Sequence, residues 1–170
     1  MDFNLPLSVM AQFDRKLART TGDAYNFLVI TATAPPALVA HNPGPLNLAI
    51  VIDVSDSMGG KPLNAAKQAA VGVVNALGDD DRLSLVSFAD DEVLHFEALA
   101  MNNNGKKKAV REIERLSVRG NTNLSAGWLG GSRCVAKAMQ DNPSYRNHVL
   151  VLSDGFANLG IINPESLAKH

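Results

Sequence analysis

Apolar and polar positions along the chain follow two rhythms. Leu46 to Ile52, Leu83 to Ala89 and His148 to Ser153 are short, nearly continuous apolar runs rich in Val, Ile and Leu, the pattern of strands buried on both faces of a sheet. Between the first two, Leu63, Ala66, Ala70, Val73 and Leu77 recur at three- and four-residue spacing behind Pro62, which predicts an amphipathic helix that Gly78-Asp79-Asp80-Asp81 brings to an end. Strand, helix and strand in that order predict a right-handed parallel crossover. Asp90-Asp91-Glu92 is too short for a second crossover, so Val93 to Leu99 is expected to return as an antiparallel neighbour at the sheet edge. Ala109, Ile113 and Leu116 predict a short helix. Leu124, Trp128, Gly131, Val135 and Ala138 predict a longer one, with Trp128 in the core.

The first 45 residues have a different texture. Leu5 to Phe13 and Tyr25 to Ala34 are strand candidates, joined through Thr20-Thr21-Gly22-Asp23, whose Gly and Asp suit a turn. The prolines of Ala34-Pro35-Pro36 and Asn42-Pro43-Gly44-Pro45 cannot continue a ladder. The expected organisation is a β-hairpin or small-sheet extension with its linker over 1–45, and an open, Rossmann-like, mostly parallel α/β domain flanked by helices over 46–170.

Composition narrows the function classes. With 170 residues and 46% hydrophobic content the chain can bury a proper core. Sixteen Lys and Arg against seventeen Asp and Glu leave no field that would suit nucleic acid or an anionic membrane. The single cysteine, Cys134, offers no disulfide framework and falls in a helical apolar pattern. The amino terminus has no basic segment followed by an apolar stretch, and no run reaches the length of a membrane span. A cytoplasmic location is expected.

Chemistry is expected at the carboxyl ends of the strands, where open α/β sheets collect ligands. Asp53 closes the first apolar run and leads into Val54-Ser55-Asp56-Ser57; Asp154 follows the last. With those strands side by side, both carboxylates converge on Ser55 and Ser57, and the loop Arg119-Gly120-Asn121-Thr122-Asn123 before the long helix adds the Thr122 hydroxyl. Two carboxylates and three hydroxyls are hard oxygen donors matched to Mg²⁺. Mn²⁺ and Ca²⁺ are the alternatives, although Ca²⁺ normally takes more ligands. Paired histidines or cysteine clusters of the zinc type are missing from the sequence. Asp79 to Asp81, Asp90-Asp91 and Lys106 to Lys108 read as solvated turns or faces, and His95 and His148 receive no role.

Asp53-x-Ser55-x-Ser57, Thr122 in Gly-Asn-Thr-Asn-Leu and Asp154 in Leu-Ser-Asp-Gly together resemble a von Willebrand factor type A domain with a metal-ion-dependent adhesion site. The resemblance implies a sheet with the four strands in the order third, second, first, fourth. It further implies that Ser55, Ser57 and Thr122 ligate the metal directly, with Asp53 and Asp154 acting mainly through water. No enzymatic activity is implied: the function would be metal-dependent protein binding, with a partner's acidic side chain taking a vacant coordination position, in an adaptor or scaffold of a bacterial system. Asp56 stands where many members carry glycine and adds negative charge near the site.

Relatives continue through a further helix and two more strands, so the last part of the fold is expected to be absent here, Asn163-Pro164 only opening the next helix. The fourth strand would then be an apolar edge, and either the sequence is a fragment of a longer chain, or a second chain or self-association covers that edge. The rival reading is a Mg²⁺-dependent phosphotransferase or phosphatase of the haloacid-dehalogenase type, in which the position of Ser55 would carry a carboxylate as acid and base. A structural scaffold with a vestigial metal site is the other, and a serine hydrolase lacks its Gly-x-Ser-x-Gly elbow.

Overall fold

A computed structural model of the chain describes residues 8–13, 28–33, 44–155 and 157–167. The chain divides into two units, Met1–Asn42 and Pro43–His170. In the first, β1 (Ser8–Phe13) pairs antiparallel with β2 (Leu28–Thr33), Val9 opposite Ala32 and Ala11 opposite Ile30. The expected strand residues 5–7 and 25–27, the turn between them and the proline-rich connector through residue 43 lie outside the described residues.

The second unit is an α/β fold around a four-stranded sheet. β3 (Leu46–Asp53) is followed by α1 (Lys61–Ala76), β4 (Arg82–Phe88), β5 (Glu92–Ala100), α2 (Asn103–Arg115), α3 (Leu124–Asp141), β6 (Arg146–Leu152) and the short α4 (Pro164–Leu167). The sheet order is β5-β4-β3-β6. β3 runs parallel to β4 and to β6, and β5 is the antiparallel edge. The order is the one the family resemblance implied, and the parallel crossover and antiparallel return are those the sequence pattern predicted. Among the described residues β6 pairs on one side only, and its residues from Val149 to Leu152 are half-buried.

Side chains alternate across β3. Leu48, Ile50 and Ile52 face α1 and α2, where Leu63, Ala66, Ala70, Val74, Ala109 and Ile113 complete an aliphatic core. Val51 faces the other way, with Val86, Phe88 and Cys134, under α3. Two details depart from the sequence reading. Val74, fully buried, takes the core position on α1, while Val73 is only half-buried. On α3 the buried residues are Ser125, Gly127, Gly130, Gly131, Cys134 and Ala138, so the helix is rotated and Trp128 is half-exposed, outside both cores. The rotation follows from volume: a Cβ at Gly127 would overlap the Phe88 ring and one at Gly131 would overlap Val51. Helix and sheet come that close only where the side chain is hydrogen.

β5 is irregular. Leu85 pairs with Phe96 and Val86 with Leu94, so one step along β4 corresponds to two along β5 and His95 is the extra residue of a bulge. A second register shift precedes it, where Ala98 adopts φ 44° and its N–H donates to Ser84 Oγ at 2.9 Å.

Candidate metal centre

The site is built from three loops at the carboxyl end of the sheet. Asp53 is fully buried at the end of β3. Its Oδ1 accepts the Ser55 N–H at 2.9 Å and its Oδ2 accepts the Ser153 hydroxyl at 2.6 Å, so one carboxylate ties its own loop to the end of β6. A carboxylate offers about four lone-pair directions, which leaves capacity beyond these two bonds. Ser55 is buried, and its Oγ lies 3.1 Å from Ser57 Oγ. A 3-10 turn over Asp56–Met58, closed by Met58 N–H to Ser55 O at 3.0 Å, sets that spacing. Gly60, at φ 78°, then turns the chain into α1 with Pro62 in its first turn.

The second loop is stitched to the first through its backbone. Arg119 N–H donates to Val54 O at 2.6 Å and Asp56 N–H to Gly120 O at 3.0 Å. Asn123 N–H donates to Ala89 O at 2.7 Å while the Asn123 side chain accepts the Ala126 N–H at 3.1 Å as the cap of α3. Asp90 accepts from Asn121 Nδ2 at 2.7 Å. Thr122 is thereby held at 3% exposure between the loops.

The third loop closes on the second. Thr122 N–H donates to Asn158 Oδ1 at 2.8 Å, and Thr122 O accepts the N–H groups of Asn158 and Leu159 at 3.0 and 3.1 Å. Asp154 is exposed and, with Ser153, shares a groove with Met58 and Pro62 beside the first loop. The structure thus links Asp53, Ser55 and Ser57 directly, places Asp154 one residue beyond a ligand of Asp53, and ties the Thr122 loop to both other loops. Asp56 is exposed on the 3-10 turn.

Ser153, Asn158 and Asp90 escaped the sequence reading. Ser153 was findable: the parallel register pairs Ile52 with Leu152 and so sets Ser153 beside Asp53. Asn158 and Asp90 act through loop geometry that carries no periodic signal. Among the described residues no three His, Cys, Asp or Glu side chains come together, so cation chemistry here draws on hydroxyls as well as carboxylates. Nearby, hydrogen bonding and charge from Arg119 hold the exposed Asp91 carboxyl below its ordinary range.

Comparison with known proteins agrees with this architecture. An uncharacterised protein of Synechocystis sp. is 37% identical over 111 residues, 65% of this chain and 25% of that protein. Human inter-alpha-trypsin inhibitor heavy chain H3 is 28% identical over 130 residues, 74% of this chain and 15% of that protein. The chain therefore spans a quarter or less of the length of these relatives. Among solved structures, a von Willebrand factor type A protein from Catenulispora acidiphila superposes with a TM-score of 0.60 at 22% identity over 96% of this chain and 36% of its own. Proximal thread matrix protein 1 of the mussel byssus, with a zinc-occupied MIDAS motif, gives 0.54 at 22% identity over 74% and 32%; at such identity the likeness carries the fold. The family model for the von Willebrand factor type A domain matches residues 48–156, and the chain belongs to that family.

Proposed function

We propose that the three loops hold a divalent cation and that the loaded site binds a partner protein through an acidic side chain. The observation that carries this reading is the Ser55–Ser57 hydroxyl pair at 3.1 Å, backed by the pinned Asp53 carboxylate. Two cis ligands about 2.1 Å from an octahedral ion stand about 3 Å apart, and this pair has that spacing. Ser55, Ser57 and Thr122 are assigned as direct ligands. Asp53 and Asp154 are assigned to act mainly through water, which agrees with both Asp53 oxygens already accepting protein hydrogen bonds. The donor set is all hard oxygen and suits Mg²⁺ or Mn²⁺; Ca²⁺ prefers six to eight oxygens and fits less well.

The family is in general one of protein-interaction modules, and the zinc-occupied site of the mussel protein supports a metal at the corresponding motif. Neutral hydroxyls leave the cation most of its charge, which favours exchange of a bound water for a partner carboxylate. The chain's own part is to present that position rigidly and to keep Asp56 and Asp154 at its exposed margin. A phosphatase reading lacks its acid and base, because Ser55 stands where the second carboxylate would be.

Isothermal titration with Mn²⁺ tests the proposal. The intact chain should bind one ion and Asp53→Ala should bind none, while circular dichroism shows the variant folded. Equal titration of both proteins would sink the assignment, and turnover of a phosphomonoester would revive the enzyme.

A further inference from the structure

A second polar feature lies behind the first metal loop, on the aliphatic face of the sheet. Along β4 the residues facing α1 and α2 are Leu83, Leu85 and then Ser87, so a hydroxyl occupies the row that otherwise supplies core. Ser87 is 3% exposed and its Oγ lies 2.8 Å from His95 Nε2. His95 reaches it because it is the bulged residue of β5, and bulges beside functional sites commonly re-aim a side chain. The pair opens into a cavity of 240 Å³ whose wall includes Arg115, Ser117 and Arg119 and whose floor is Val54, the residue between Asp53 and Ser55.

We infer that this cavity is a binding site for a small free molecule presenting one oxyanion group, received by Arg115, Arg119 and the Ser87–His95 pair. Both guanidinium groups have partners at the cavity's rim. Arg119 is fixed by Asp91, at 2.5 Å to the carboxylate and 3.2 Å to its carbonyl, and Arg115 by Glu112 at 3.1 Å. Each guanidinium has five N–H groups, so most remain for a ligand. Glu112 lies on the same wall, and its charge is directed to Arg115.

The Ser87–His95 pair is assigned to hold the anion together with the two guanidinium groups. Burial holds the His95 ring below its ordinary value, Glu112 opposing and Arg119 adding to the effect. The charged groups facing the ring are thus Glu112, Arg115 and Arg119, with Asp91 behind the last. An anion stabilises the protonated ring, so binding strengthens as the pH falls toward and below about 6.5. Occupancy also pulls on Arg119, whose N–H is bonded to Val54 O and whose loop carries Thr122. This coupling, unlike the binding itself, rests on the proposed metal site.

Sulfate and acetate are the probes, titrated into the full chain in chelator while the His95 ring is followed by NMR; sulfate keeps one charge state across the range. Saturable shifts, a His95 midpoint raised by the anion, and affinity weakened about ten-fold or more in Arg115→Gln but unchanged in Lys107→Gln on the outer surface of α2 are expected. Ser87→Val removes the hydroxyl that meets His95 and should weaken binding several-fold. Should that variant fail to fold, the Arg115 result decides, since that side chain is 67% exposed. Saturation by acetate alone assigns a carboxylate ligand and by sulfate alone a tetrahedral one. Saturation by neither, or loss in Lys107→Gln with Arg115→Gln unaffected, overturns the inference. Mn²⁺ affinity should change several-fold with sulfate bound; sulfate binding in a chain that takes up no Mn²⁺ leaves the cavity standing and removes the metal site.

Discussion

The two faces of the sheet are held by opposite means. Toward α1 and α2, branched side chains of β3 and β4 interdigitate with Leu63, Val74 and Ile113 in a continuous aliphatic core. Toward α3, among the described residues, the buried hydrophobic cluster is Val51, Val86, Phe88 and Cys134, and the helix makes contact through Gly127, Gly130 and Gly131. One face is stabilised by the volume it contains, the other by volume left out so that backbone and sheet approach each other. The difference teaches that neither face can be judged by hydrophobicity alone. Sensitivity to mutation should have opposite sign on the two sides.

The largest effect expected is from Ile50→Ala, which empties a fully buried position of the aliphatic face and should cost about 2–5 kcal/mol in urea unfolding. A cost under about 1 kcal/mol would show that α1 and α2 collapse onto the sheet and that the contrast is false. On the other face the reverse substitution should hurt. Gly127→Ala drives a methyl group into Phe88, costing about 1–3 kcal/mol, less the roughly 1 kcal/mol by which a helix prefers Ala to Gly; a melting temperature above the parent's would contradict the close-approach account. Gly72, exposed on α1 with open space around its Cα, is the control for that offset. Gly72→Ala should stabilise by about 1 kcal/mol, visible as a rise in the same unfolding midpoint.

The smallest effect concerns His95 on the aliphatic face. Its folded-state value lies below the unfolded one, chiefly through burial, so protonation favours the unfolded chain. Its contribution is fully present above about pH 6.5 and is lost as the pH falls through the interval between the two values. Because the ring is half-exposed the loss should stay under about 1 kcal/mol. The stability difference between pH 7.5 and 5.5 should narrow in His95→Gln, and an unchanged difference would remove the ring from the pH response.

What the sequence disclosed follows the same contrast. The aliphatic face was legible because its signal is bulk at regular spacing: Leu63, Ala66 and Ala70 on α1, and Ala109 and Ile113 on α2, are buried where periodicity puts them. The face under α3 was legible only in part: Gly131 and Ala138 are buried as the spacing puts them, but Gly127 and Gly130 carry no hydropathy signal and Trp128 advertises a core position it does not hold. The site was legible in part, since short oxygen-bearing side chains after apolar strands mark a loop opening. Ser87 and His95 were not, because their meeting depends on a one-residue slip between β4 and β5 that alternation cannot foresee.

The backbone stitches between the loops have a kinetic consequence. With the amides of Arg119, Asp56 and Thr122 already bonded across the loops, little chain has to be frozen when a ligand arrives. Capture should therefore proceed at the speed of an encounter between rigid bodies, and differences between one ligand and another should lie in how slowly each escapes.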